Sequence, residues 1–392
     1  MSTLALRGRL VVDGEVWDGG TVLVEDGKIE AVERGAPARA ADETLELPGS
    51  FLVPGFVELQ INGAFGVDVA TEPKRLGELS RKLPLTGTTS YLPTLVSLPP
   101  AEYPDVLPRL AREMAGDGPG AEPLGLHLEG PFLNPEKKGA HLPQNMAPPD
   151  TRALAAMLDD APVRMVTVAP ELPGAPELVR LAAGRGVLVS LGHSAADRGA
   201  ALAALDAGAR GVTHLFNAMG PLHHREPGLP GVALSDARTT CGIIADGRHV
   251  HPDVVRFAFA ALGPERLYLT TDAIAAAGME SGEYALAGRR VDLEDGVPRL
   301  ADGTIAGSVL EMDAAVRNVA EFAACTLPEA VKMASTTPAR LAGVGDRKGR
   351  IAPGYDADLV ALAADGLGVE AAWVGGERVM DRERANRRRE WA

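Results

Sequence analysis

The sequence predicts an α/β fold: a (β/α)8, TIM-type barrel inserted into a small β-sandwich built from both termini. Three observations carry this prediction. From Pro54 to about Gly345, short apolar runs alternate with Ala/Leu/Glu/Arg-rich helical stretches, and eight such runs can be placed, which is the number a barrel needs. Four of the runs stop on a residue that can bind a metal or move a proton: Glu129, His193, His214 and Asp272. Both flanks of this segment are strand-like rather than helical.

Taken in order, residues 4–34 read as short antiparallel strands rich in Val, Leu, Ile and Thr, broken by turns at Asp13-Gly14, Gly19-Gly20 and Asp26-Gly27. Residues 1–53 thus form the first part of the sandwich. The barrel follows over 54–345, with strands expected near 55–60, 87–94, 124–129, 163–169, 187–193, 210–214, 240–245 and 266–272. Helices such as Ala195–Ala207 and Asp253–Leu262 have suitable length and apolar spacing between them. An open doubly wound sheet is the competing arrangement. A Gly/Pro/His-rich loop at 215–231 and a turn-rich insertion at 278–308 interrupt the regular pattern, and long loops at a barrel's C-terminal face are where specificity sits. Residues 346–392 return to strand character, as in Ala357–Leu362 and Ala371–Val374, and supply the second part of the sandwich. The arginines at 382, 384, 387, 388 and 389 are interleaved with acids and read as a solvated end.

Composition narrows the function. A hydrophobic share of 46% suits a large buried core, and a net charge of -14 disfavours nucleic acid and anionic membranes as partners. The first residues alternate apolar and polar and lack a signal-peptide core, and no run approaches a membrane span. With only Cys241 and Cys325, neither a disulfide framework nor a multi-cysteine zinc site can form, so a reducing, cytoplasmic location is expected.

If the strands close into a barrel, their C-terminal ends converge on one face. Glu129, His193 and His214 then make a three-ligand set of the kind that leaves a fourth position on a catalytic metal open. One divalent metal per subunit is expected, Zn²⁺ first, with Fe²⁺, Co²⁺ or Mn²⁺ also compatible because no thiolate is present. Asp272, at the end of the eighth run, can take a proton from an attacking water and return it to a leaving group; a helix N-cap is its plainer alternative.

At these residues the chain resembles the N-acetylglucosamine-6-phosphate deacetylases of the amidohydrolase superfamily. The resemblance rests on His-Leu-Glu-Gly-Pro-Phe, Lys-Lys-Gly-Ala-His, Gly-His-Ser, Thr-His-Leu-Phe-Asn-Ala-Met, Arg-Glu-Pro-Gly and Thr-Asp-Ala, in that order. It continues early into Glu58–Gly63 and late into Thr337–Arg340 and Gly349–Leu359. The resemblance implies hydrolysis of an acetamide on a phosphorylated amino sugar, with N-acetylgalactosamine 6-phosphate or another N-acyl amino sugar as the alternative substrate. It implies that Glu129, His193 and His214 hold the metal, that Asp272 is general base and then acid, and that His141 hydrogen-bonds the amide carbonyl. It further implies substrate contacts from Arg225 and His249 and from the backbone at Asn217 and Ala218, and a homodimer in which Arg225 crosses to the neighbouring site. Many amidohydrolases carry His-x-His on the first strand and a carboxylated lysine on the fourth. Here Glu58-Leu59-Gln60 stands at the first position and Val163–Ala169 holds no lysine, so a single metal is expected and Gln60 is a polar or substrate contact rather than a ligand.

Two rival classes are weaker. A serine hydrolase built on Ser194 would need a Gly-x-Ser-x-Gly elbow, and the sequence reads Gly192-His193-Ser194-Ala195-Ala196. A binding-only barrel should have lost part of the metal set or its acid/base, and nothing is missing.

Overall fold

The structure is a computed structural model that describes residues 3–116 and 118–381; the arginine-rich tail lies outside the described residues. Eight parallel strands form the barrel: Phe56–Ile61, Thr88–Val96, Leu126–Glu129, Val163–Val168, Leu188–Leu191, Gly211–Val212, Thr240–Ile243 and Leu267–Leu269. Each falls on one of the eight expected runs, and each pairs in parallel with its successor. The ring closes between the last strand and the first. The Asp272 N–H donates to the Gln60 carbonyl at 3.0 Å, and the Asn62 N–H donates to the Ala273 carbonyl at 2.8 Å.

Glu58 fastens the same seam. Its carboxylate accepts from the Thr270 hydroxyl at 2.5 Å and from the N–H groups of Thr271 and Gln60 at 2.8 Å each. Burial pushes its pKa up to about 7 against these donors. The first-strand position that would hold a metal ligand in a two-metal barrel is thus occupied in tying the first strand to the last.

The flanking strands form one continuous seven-stranded sheet. Its order runs from Glu377–Asp381 through Val369–Val374, Leu359–Ala363, Glu43–Pro54, Thr3–Val12 and Glu15–Glu25 to Lys28–Arg34. Both termini therefore build one β-structure, as expected. The sheet is mixed rather than antiparallel, because Glu43–Pro54 runs parallel to Thr3–Val12 and antiparallel to Leu359–Ala363. Side chains alternate between two buried faces. Val11, Val53, Val360, Leu362 and Ala372 join the barrel core, while Leu10, Val12, Leu52, Leu359, Ala361 and Trp373 form a second core on the opposite face.

Turns form at Asp13-Gly14 and Asp26-Gly27, where all four residues have positive φ, the geometry of tight hairpins. Gly19-Gly20 is not a turn: strand Glu15–Glu25 runs straight through it. A Cβ on Gly20 would come within 2.6 Å of the Leu10 side chain, so glycine is needed there for close packing rather than reversal.

Helix limits also depart from the apolar pattern. The expected Ala195–Ala207 helix begins at Arg198, because the Asp197 side chain caps the Ala200 N–H at 2.8 Å. The Ala195 N–H is instead held by Glu171 at 2.7 Å. The expected Asp253–Leu262 helix spans Pro252–Arg266 with a kink at Gly263. The insertion at 278–308 folds into a three-stranded antiparallel sheet, Gly282–Leu286, Arg289–Glu294 and Val297–Arg299, with its own apolar cluster against Val96 and Ile274. Among the described residues, no helix is long and apolar enough to cross a membrane.

Candidate active site

Glu129 is the last residue of its strand, while His193, His214 and Asp272 lie two or three residues beyond theirs. All three of the latter have positive φ, of 48°, 29° and 50°. Such backbone costs of order 1–3 kcal/mol per residue, and it turns each side chain off the strand end toward the barrel axis.

The side chains meet. His214 Nε2 lies 3.0 Å from Glu129 Oε1, His193 Nε2 lies 3.2 Å from the same oxygen, and the two imidazole nitrogens are 3.1 Å apart. All three residues are buried and form a group that could hold a metal ion. The donor set fits a zinc-like cation on geometry. Ligand atoms around a tetrahedral ion with bonds of about 2.0–2.1 Å sit about 3.3 Å apart, close to the triangle seen here. Tautomers agree: the Lys137 carbonyl accepts from His193 Nδ1 at 2.8 Å, so that nitrogen carries the proton and Nε2 keeps a free lone pair. His214 Nδ1 is buried with no partner among the described residues. Burial would raise the Glu129 pKa, but the three histidines packed around its carboxylate, His141, His193 and His214, hold it well below the usual carboxylate range. Glu129 therefore presents an ionised carboxylate to a cation.

Asp272 stands beside this triangle. Its Oδ1 accepts from Asn62 Nδ2 at 2.7 Å and from Gln60 Nε2 at 3.1 Å, which leaves Oδ2 without a donor among the described residues. Gln60 Nε2 also reaches Glu129 Oε1 at 2.7 Å, bridging the two carboxylates. Burial, and then the charge of Glu129, push the Asp272 pKa up to about 6. A carboxyl poised there can both accept and return a proton near neutral pH.

His141 is buried, not an exposed loop residue. Its Nδ1 accepts from the Ser97 N–H at 3.1 Å, and its Nε2 lies 3.5 Å from Glu129 Oε2. Burial, and then the neighbouring His193, lower its pKa to about 4, so the ring is neutral at pH 7 with Nε2–H aimed into the site. His249 Nδ1 is anchored on Asp246 Oδ2 at 2.6 Å. The Asn217 N–H is committed to the His214 carbonyl at 3.0 Å in a tight turn, whereas the Ala218 N–H has no partner among the described residues. His141, His249, Asn217, Ala218, Asp272 and the metal group line one cavity of about 200 Å³, roofed by Leu286 and Ile305 from the insertion.

Arg225 does not reach this cavity. It is exposed on the loop before Gly228–Ser235, and among the described residues its N–H contacts only the neighbouring His223 ring. Asn62, Ser97 and, at the cavity rim, Arg248 were missed by sequence reasoning. Asn62 continues the inward period-two series Glu58, Gln60, Asn62, so the strand alternation could have found it. Ser97 carries no local signal, since its partner is 44 residues away.

The described cavity agrees with what the chain is similar to. A model described as the amidohydrolase family matches residues 51–380. The chain is 40% identical over 379 residues to the N-acetylgalactosamine-6-phosphate deacetylase of Escherichia coli O157:H7, covering 96% of this chain and 99% of that protein. It is 40% identical over 397 residues to the human N-acetylglucosamine-6-phosphate deacetylase, covering 97% and 95%. Among solved structures, the N-acetyl-D-glucosamine-6-phosphate deacetylase of Mycobacterium smegmatis, a mutant in complex with N-acetyl-D-glucosamine-6-phosphate, superposes with a TM-score of 0.90 at 35% identity over 97% of this chain and all of that one. By its sequence, its barrel and the residues at its strand ends, the chain belongs to the amidohydrolase family.

Proposed function

We propose that this chain hydrolyses the acetamide of N-acetyl-D-glucosamine 6-phosphate to D-glucosamine 6-phosphate and acetate, in amino-sugar breakdown or recycling. The observation that carries the reading is the Glu129–His193–His214 triangle with Asp272 Oδ2 open beside it in one cavity. The full-length relatives supply the substrate class.

Glu129, His193 and His214 would hold one divalent metal, zinc first, which when bound supplies Lewis-acid polarisation of the amide and activation of water. The chain's own residues do the rest. Asp272 Oδ2 takes a proton from the attacking water and delivers it to the amide nitrogen as the C–N bond breaks, so the amine leaves neutral and the acyl carbon keeps the water oxygen. Asn62 and Gln60 fix the other carboxylate oxygen and thereby the direction of transfer. His141 Nε2–H donates to the carbonyl oxygen as it gains charge. The Ala218 N–H, Asn217 and His249 line the sugar-phosphate end, and Arg225 acts from a second subunit of a homodimer, since it does not reach its own cavity. In this reading the chain divides into a barrel domain, 54–345, and a terminal β-domain drawn from 1–53 and from 346–392 with its C-terminal tail, and the enzyme works in the cytoplasm.

A second reading is kept because one full-length relative is a galactosamine-type enzyme: the preferred substrate would then be N-acetylgalactosamine 6-phosphate. Acetate release from both 6-phosphates and both free N-acetylhexosamines decides. The proposal expects the highest kcat/KM on the gluco 6-phosphate. A galacto preference selects the second reading, and no acetate from any of the four defeats both.

A further inference from the structure

The cavity needs a cation of its own, and one residue can provide it. A sugar phosphate must enter a chain of net charge -14 and approach a site that already holds the carboxylates of Glu129 and Asp272. Among the described residues lining the cavity, Arg248 is the one arginine or lysine. It is exposed, and its guanidinium has neither an ion pair nor a side-chain hydrogen bond among the described residues. Arg317 and Arg289, by contrast, are already engaged: Arg317 pairs with Asp313, and Arg289 is tied to the Ala140 carbonyl.

Its backbone, by contrast, is fixed. Asp246 Oδ1 accepts from the N–H of both Arg248 and His249 at 2.8 Å, and Asp246 Oδ2 holds the His249 ring. Gly247, with φ of +69°, makes the turn between them. One carboxylate therefore sets two adjacent side chains on the cavity rim, with His249 anchored and Arg248 left with five unused donors. A planar guanidinium matches phosphate oxygens bidentately, and an unpaired one surrenders no existing partner when it does so.

We infer that Arg248 is a specificity-determining residue that binds the phosphate of the substrate from within the same chain, separately from any arginine donated by a neighbour. The inference rests on the deacetylase reading. It means that preference for phosphorylated over free amino sugar is partly encoded in each barrel alone.

The test is the ratio of kcat/KM on N-acetylglucosamine 6-phosphate to that on N-acetylglucosamine, in wild type and in R248M and R248K. Because the side chain is exposed, R248M keeps the fold, which circular dichroism checks. Loss of a charge-assisted hydrogen bond predicts that the ratio falls about 10- to 100-fold in R248M, mainly through KM. R248K should recover part of it, and competitive inhibition by inorganic phosphate should weaken in step. An R248M enzyme whose ratio is unchanged, or that loses activity equally on both sugars, overturns the assignment while leaving the deacetylase reading in place. A wild-type chain that releases acetate from neither sugar overturns both.

Discussion

Asp272→Asn isolates proton transfer from everything else the site does. In the wild type, Asp272 Oδ1 receives the Asn62 and Gln60 amides at 2.7 and 3.1 Å, and Oδ2 is left for the proton. An asparagine at this position has one oxygen and one NH₂. The two amide donors select the orientation with the oxygen toward them, because the reverse would set N–H against N–H. The NH₂ then occupies the position of Oδ2, where it can donate but cannot accept. Shape and both anchoring hydrogen bonds survive while the base is lost, which should cost about 10²–10⁴ in kcat. The metal group is untouched, because Glu129, His193 and His214 make their mutual contacts without Asp272. Acetate release at saturating substrate, measured alongside elemental analysis, should therefore show a large fall in kcat with unchanged metal content. The wild-type pH profile is tied to the same group. Asp272 must be ionised to accept a proton, and its pKa is raised to about 6, so activity should fall as pH drops through that region. A cation on the ligand triangle cancels the Glu129 contribution, which places the acid limb at or below about pH 6. That limb should vanish in the Asn variant. Near-normal turnover by Asp272→Asn, or metal loss in parallel with activity, would refute the reasoning.

Further outcomes follow from the neighbouring residues. Since His141 is a neutral donor fixed by Ser97, His141→Gln should lower kcat by roughly 10²–10³ with little change in KM, as for other single oxyanion donors; a change confined to KM would make it a substrate-holding residue instead. Arg225→Ala and Asp272→Asn should each be nearly inactive, yet random co-assembly of the two chains should restore about one quarter of wild-type activity. Half the dimers are then mixed, and each mixed dimer has one intact site of two. Verified mixed dimers with no recovered activity would place the action of Arg225 within its own chain.

Much of this was legible in the sequence because barrel strands announce themselves twice, by an apolar run and by the polar residue at its end. All eight strands follow from the apolar runs, and the convergence of Glu129, His193, His214 and Asp272 follows from the polar residues that end four of them. Strand Glu43–Pro54 was not legible, although it is central to the flanking sheet. Pro48-Gly49 splits its alternation, and the register against Thr3–Val12 jumps there from Leu47 to Phe51. Gly19-Gly20 misled for the opposite reason: a pair in which Gly20 is needed for close packing against Leu10 looks like a turn. The support of the site was hidden as well. His127 hydrogen-bonds Thr167, which bonds Thr213, which bonds Ser190, in a buried polar chain across four barrel strands that no local pattern reveals.

The central claim is that one metal held by Glu129, His193 and His214 serves amide hydrolysis. Titrating Zn²⁺ into metal-free protein while following acetate release from N-acetylglucosamine 6-phosphate tests it most directly. Activity should rise linearly and level off at one equivalent per chain, and a Glu129→Ala variant should neither bind that equivalent nor gain activity. Activity that needs two equivalents, or that is full without added or residual metal, would contradict the account.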